Sequence, residues 1–262
     1  MYLMGFKWEA AMALPLVVVL SASSTVSADE ADAKRLLKSM SDFMASQNRI
    51  SVSIDTSLEV VTVDDQKLEL ASSGALVLER PDKLHATRVG GFSDVEMFFD
   101  GRTMTMVGKT ANAYAQVAAP GVIDEILEQL PLKYDIYLPA SDLLMTNSYD
   151  VLMSEVVDVK DLGTGVVGGV TCDHLAFRTK EVDWQIWIAE GEKPFPCRFS
   201  ITSTQIKQGP EYTVQFWDWK SGSDVAKVDF GFKNTTKATK VELGKIKYAD
   251  QLPGHYETGE AK

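Results

Sequence analysis

The chain has 262 residues, with 26 Lys and Arg against 37 Asp and Glu, and a formal net charge of −11. An acid excess of this size excludes nucleic acid and anionic membrane headgroups as partners held by charge. The three histidines, His85, His174 and His255, show none of the close spacing of a metal-binding helix, so neither a metal nor a cofactor is expected.

Residues 1–28 read as a secretory signal, with Lys7 in a short basic region, an apolar run from Ala10 to Leu20, and Val26-Ser27-Ala28 as an A-x-A-like cleavage site. The apolar run falls short of the ~20 residues that span a bilayer. Asp29 follows the cut where a lipid-anchored protein would carry cysteine, so the expected product is periplasmic, with no lipid anchor and not integral to the membrane. No Pro/Ser-rich linker divides the remainder, which reads as one domain over 29–232 and a tail over 233–262.

Residues 30–47 carry a helical stripe of Ala33, Leu36, Leu37, Met40, Phe43 and Met44 opposite Lys34, Arg35, Lys38, Asp42 and Gln47. From Ile50 the period changes to two, and strands are expected near 50–54, 57–63, 67–71, 74–80, 84–89, 95–99 and 103–107, punctuated by Asp64-Asp65 and Asp100-Gly101. Pro81 has no N–H for the next rung, so the strand GALVLERP stops there, and Asp100-Gly101 supplies the positive φ of a tight hairpin. This strand ending in Arg-Pro, followed about one strand later by the hairpin EMFFDGRTMTMV, resembles the LolA/LolB-type periplasmic carriers. The resemblance implies a half-open barrel that holds acyl chains under helical lids.

A short helix is expected over 121–130, ended by Pro131, and a helical or irregular piece over 141–153. After Gly163 the strands resume near 165–171, 172–178, 183–189, 197–206, 211–219 and 225–232. The expected fold is therefore α+β, a large curved antiparallel sheet with helices covering its concave side.

Two cysteines in an exported chain invite a disulfide between Cys172 and Cys197, closing a loop of about 25 residues. In a simple meander they would begin strands two spacings apart, ~9.6 Å, beyond the usual ~7 Å limit. Two buried thiols are the alternative.

The combination of GVTCDHLAFR, DWQIW and GEKPFP between 169 and 199, with LPASDLL at 138–144 and Trp217-Asp218-Trp219, is similar to an uncharacterised family of predicted exported bacterial proteins, a domain of unknown function placed among the LolA-like folds. The likeness runs over roughly 30–232. It implies a fold, an export route and a hydrophobic or amphiphilic ligand, and no activity.

The residues themselves offer no catalytic constellation. His174 on a strand reads as a structural donor, Ser141-Asp142 as a helix cap, and no G-x-S-x-G turn surrounds any serine. Cys172 and His174, i and i+2 on one strand, lie ~7 Å apart, too far for a nucleophile and its base. The function expected is that of a periplasmic binding or carrier protein holding a lipid, a lipoprotein acyl chain or another amphiphile in an apolar cleft. Candidate lining residues are Leu36, Met40, Phe43, Leu76, Leu78, Phe98, Met104, Met106, Ile126, Leu127, Leu175, Phe177, Trp184, Ile186, Phe199 and Ile201. The alternative is an envelope protein–protein interaction or stress-sensor module with no bound lipid. Four cations of the first sheet half, Arg80, Lys83, Arg88 and Arg102, show no pattern that would gather them at a cleft mouth.

Overall fold

The computed structural model describes residues 25–246, apart from 92, 93, 135, 137 and 139, and the side chains from 29 onward. Most of the expected signal peptide, the end of the tail and His255 lie outside the described residues. Helix α1 (Thr25–Ser46) is followed by β1 (Arg49–Val61), β2 (Lys67–Glu79), β3 (Lys83–Gly90), β4 (Asp94–Phe99), β5 (Thr103–Gly108) and β6 (Ala113–Ala118). Then come α2 (Ile123–Tyr134), a 3-10 turn (Ser141–Leu144), α3 (Ser148–Met153), β7 (Asp158–Val167), β8 (Val170–Arg178), β9 (Val182–Ala189), β10 (Pro196–Ser203), β11 (Glu211–Ser221) and β12 (Thr239–Lys240).

The twelve described strands form one open sheet in the order β12-β6-β5-β4-β3-β2-β1-β11-β10-β9-β8-β7. Every described pairing is antiparallel except β12 on β6, which makes the α+β sheet mixed at one edge. The chain thus lays down two meanders, β1 to β6 and β7 to β11, and joins them where β1 pairs with β11.

Several elements differ from the sequence pattern for local reasons. Ser72 and Ser73 fall between two expected strands, yet β2 runs through them, because they stand opposite Thr56 and Asp55 of an equally long β1. Helix α2 continues through Pro131 to Tyr134. A proline forfeits the rung from its own N–H and crowds the carbonyl four residues back, and here both effects fall in the last turn. The hairpin after Phe99 is a three-residue loop, in which only Gly101 takes positive φ (88°) and the Asp100 carboxylate accepts the N–H groups of Arg102 and Thr103. Residues 225–232 are not a strand. They form an irregular strap that buries Val225 and Phe230 and sets the Phe232 ring against Phe98 and Tyr114. Within the expected tail, β12 extends the sheet and Ile246 is buried.

Gly74 is required by the sheet itself. A Cβ at this position would meet the Thr87 carbonyl oxygen of β3 at 2.2 Å, a backbone atom that cannot swing away. Gly74→Val is expected to cost about 2 kcal/mol, seen as a fall of about 4–8 °C in Tm by calorimetry.

Candidate functional site

The inner face of the first meander is built in register rows. Ile50, Leu78, Leu84, Phe99 and Met104 form a fully buried floor. The next row, Val52, Leu76, Ala86, Met97 and Met106, lines an open cleft, and Ile54, Gly74, Arg88 and Val95 line it one rung further out. A single cleft touches residues of β11, β1, β2, β3, β4 and β5, so the sheet wraps around it. Its roof is Leu127 of α2 with Leu138, Ala140, Ser141, Leu143 and Leu144 of the 3-10 turn region. The cleft holds about 1090 Å³ of atom-free space with its open mouth included.

The wall is apolar until Thr56. There the Thr56 and Ser72 hydroxyls lie 2.6 Å apart, and Arg88 Nε donates to Ser72 Oγ at 2.8 Å. Ser72 is buried, so the polar end is a fixed part of the wall.

The roof is tied down by Arg80, at the end of β2. Its Nη2 donates to the Leu144 carbonyl at 2.7 Å, and its Nη1 lies 3.7 Å from Asp124 Oδ1. Asp124 in turn accepts the Thr146 N–H at 3.1 Å and also the Thr146 hydroxyl. Burial pushes the Arg80 guanidinium down, and Asp124 opposes that shift. One cation thus joins β2, α2 and both sides of the turn after Leu144.

The second half of the sheet is filled. Leu37, Met40 and Met44 of α1 lie fully buried in one core with Leu175, Phe177, Trp184, Ile186 and Phe199. Phe177 stacks on Trp184 at 3.9 Å, and a chain of ring contacts runs from Phe43 to Phe195 to Trp219 and Phe216. Trp219 is fixed by its indole N–H on the Pro196 carbonyl and forms the boundary between this core and the cleft.

Of the residues expected to line a cavity, Leu76, Met106 and Leu127 do so. Leu78, Met104 and Ile126 lie in the buried floor and roof packing, and Leu175, Phe177, Trp184, Ile186 and Phe199 in the filled half with Met40. Leu36, Phe43 and Ile201 pack at the margin of that core. Phe98 is on the outer face, between His85 and Phe232. Helix α1 accordingly covers the second meander rather than the cleft. Sequence reasoning missed Ala86, Gly74 and Thr56, small or polar residues whose only signal was an inward position on a strand.

Trp217 and Trp219 stand two apart on β11, where regular alternation would put them on one face, yet they point to opposite sides. Asp218 adopts φ 53° at a register shift between β1 and β11, and the extra residue reverses the alternation. The two described histidines are engaged in side-chain contacts: His85 Nε2 with Glu96 at 2.7 Å, and His174 Nε2 with Gln185 at 2.8 Å under a stacked Trp187. Among the described residues no group of three or more His, Cys, Asp or Glu side chains could hold a metal ion, and no helix is long and apolar enough to cross a membrane.

The family described as "Predicted periplasmic protein (DUF2092)" matches residues 33–244, in agreement with the expected export and periplasmic localisation. No curated protein matches the chain. Among solved structures it is similar to LprF from Mycobacterium bovis, at 11% identity over 78% of this chain and 99% of that one, TM-score 0.45. It is similar also to the Mycobacterium tuberculosis lipoprotein LppX, at 13% identity over 76% and 100%, TM-score 0.39. A third likeness is to the Pseudomonas aeruginosa MucA/MucB complex, at 13% identity over 85% and 67%, TM-score 0.46. At these identities none of the three lends this chain a ligand or a partner.

Proposed function

This chain belongs to the DUF2092 family of predicted periplasmic proteins, and we propose that it is a binding protein that holds the acyl chain of a lipid or another amphiphile in the cleft between β1–β5 and the 3-10 turn. The observation that carries this reading is an apolar trough left open in a molecule whose other half is closed by its own helix. Each methylene leaving water contributes about 0.8 kcal/mol, so a chain of about 14 methylenes gains on the order of 11 kcal/mol in full burial. Part of that gain is spent on parting Leu127, Leu143 and Leu144 from the wall. The reading requires no catalytic group.

Lipid mass spectrometry on protein purified from its native envelope tests it, a stoichiometric amphiphile being the expected result and a lipid-free protein the contrary one. Ala86→Phe offers a sharper test, because Ala86 lies mid-cleft between Leu76 and Met97 and a phenyl ring there would occupy the trough. The variant is expected to weaken amphiphile binding at least about tenfold with Tm not lowered, since the ring enters space already empty.

A second reading, docking of an envelope protein, has its own support in β7. This strand pairs only with β8 among the described strands and presents Leu162 and Val166, 48% and 70% exposed, beside the exposed Val170 of β8. Unpaired edges of this kind accept an added strand. A lipid-free protein that recovers one partner reproducibly, and loses it on Val166→Lys, would favour this reading over the first.

A further inference from the structure

The apolar inner face of β1 and β2 does not end at the Thr56–Ser72 pair. Beyond it the register sets Leu58 opposite Leu70 and Val60 opposite Leu68, on the face that Val52, Ile54 and Thr56 occupy. The other face of the same hairpin carries Ser57 opposite Ala71 and Glu59 opposite Glu69, so it has a polar side suited to solvent and an apolar side that gains by being covered. All four apolar residues are half-buried, and among the described residues none of them belongs to the core or packs against it. They continue the cleft, since Tyr212, the β11 neighbour of Leu58, still lines it. The extension is also stiff. Lys207 and Gln208 of the β10–β11 loop hold Asp65 at the hairpin turn, and Glu59 accepts the Glu211 N–H at 2.9 Å.

Two apolar stretches thus flank one polar rung. From Val52 to Thr56, and again from Thr56 to Val60, β1 advances by ~13 Å at ~3.3 Å per residue. A lipid chain spans one leaflet, about half of a hydrocarbon core ~30 Å thick, so each stretch matches about one chain. At the rung itself, one hydroxyl hydrogen bridges Thr56 and Ser72, and Thr56 Oγ1 stands a long 3.4 Å from its other described acceptor, the Ser72 carbonyl. An ester carbonyl would give such a hydroxyl a better partner, whereas a methylene would give it none.

We infer that the cleft takes a lipid with two acyl chains splayed in opposite directions, one over Val52, Leu76 and Ala86 beneath the roof and the other over Leu58, Leu70, Val60 and Leu68, with the ester linkage between them at Thr56 and Ser72. The inference rests on the cleft reading above and adds to it the number and direction of the chains. A single chain of the same carbon count either fills one stretch and leaves its remainder in water, or lays methylenes across the hydroxyl pair. Both arrangements forfeit free energy that the splayed lipid gains.

The probe is cis-parinaric acid, a single chain whose fluorescence rises in an apolar site, displaced by dioctanoylphosphatidylcholine or by palmitoyl-lysophosphatidylcholine, each below its micelle concentration. The two competitors share a head group and a total of acyl carbons, and differ in how many chains carry them. Wild type is expected to bind the two-chain lipid at least about fivefold more tightly. Leu70→Asn should abolish that preference while leaving the affinity for cis-parinaric acid within about twofold, and Leu68→Asn, one rung further out, should reduce it. Thr56→Val should narrow it from both sides, weakening the two-chain lipid and tightening the single-chain one. Melting curves establish that the variants fold, and either leucine variant suffices without the other. Equal affinity for the two competitors in wild type, or a preference that neither leucine variant changes, overturns the inference and leaves the cleft standing as a single-chain site. Failure of cis-parinaric acid to bind overturns the cleft reading and the inference with it.

Discussion

Arg80→Met is expected to loosen the roof and lower stability together. The Arg80 side chain is 9% exposed, and its two described contacts bind the Leu144 carbonyl on one side and Asp124 on the other. Methionine keeps most of the apolar stem but restores neither the hydrogen bond nor the ion pair, so the Leu144 carbonyl loses its donor and Asp124 loses its counter-charge. Removing one partner of a buried pair costs about 3–5 kcal/mol. Asp124 is 24% exposed and keeps its bonds to Thr146, which places the expected loss near the lower limit, about 3 kcal/mol. For a domain of this size that is a fall of about 6–12 °C in Tm. The functional signature is kinetic. With the turn after Leu144 released, dissociation of cis-parinaric acid measured by stopped flow should accelerate, whereas Arg80→Lys, which keeps the charge but not the fork, should lie between the two. A Tm within 1 °C of wild type and an unchanged dissociation rate would show that the roof is held by its leucines alone.

The same region shows how far the sequence could be read. Alternation of Ile50, Val52 and Ile54 with Ser51, Ser53 and Asp55 was enough to predict β1, since burial on one face imposes period two. The extent of β1 and β2 was not legible. Ser72-Ser73-Gly74 has the composition of a turn, and only pairing with Thr56, Asp55 and Ile54, set by the distant turn at Asp64-Asp65, reveals it as the polar end of a cleft wall. The apolar residues of the inner face were recognisable in both meanders. Which half stays open was not, because Leu76 and Leu175 have the same side chain and alternation. The difference lies in what covers them: α1 inserts Leu37, Met40 and Met44 over β7–β10, whereas a four-residue 3-10 turn and α2 span β1–β4 and reach less far. The gathering of cations was hidden for a related reason. Arg80 goes into the roof, Lys83 pairs with its neighbour Asp82, and Arg88 alone of the four reaches the lining, a division set by strand phase and not by residue type.

Cys172 and Cys197 are expected to be joined in the exported protein, and the bond should carry a large share of the second meander's stability. The meander geometry that seemed to separate them is overcome at the end of β9. Cys172 pairs with Ala189 at the end of β9, and with a register shift between Pro196 and Arg198 the Cys197 sulfur touches that of Cys172, both side chains buried. Burial pushes both thiols up, Cys197 the further. Thiols in that condition form little thiolate at neutral pH and react slowly once folded. Oxidation is therefore expected while β10 is still docking, when each thiol is accessible to a periplasmic disulfide that accepts the two electrons and releases its own thiols. Closing a loop of about 25 residues contributes roughly 3 kcal/mol in the chain-entropy model. The check is direct. Protein taken from the periplasm, denatured without reductant and treated with a maleimide, should show no labelled thiol, and two after reduction. Its Tm should fall by about 6–12 °C on reduction, and Cys172→Ala/Cys197→Ala should match the reduced protein with or without reductant. Two labelled thiols in the unreduced, denatured protein would mean that the pair serves as close-packed core only, and the double variant would then lose no more than its missing sulfur contacts.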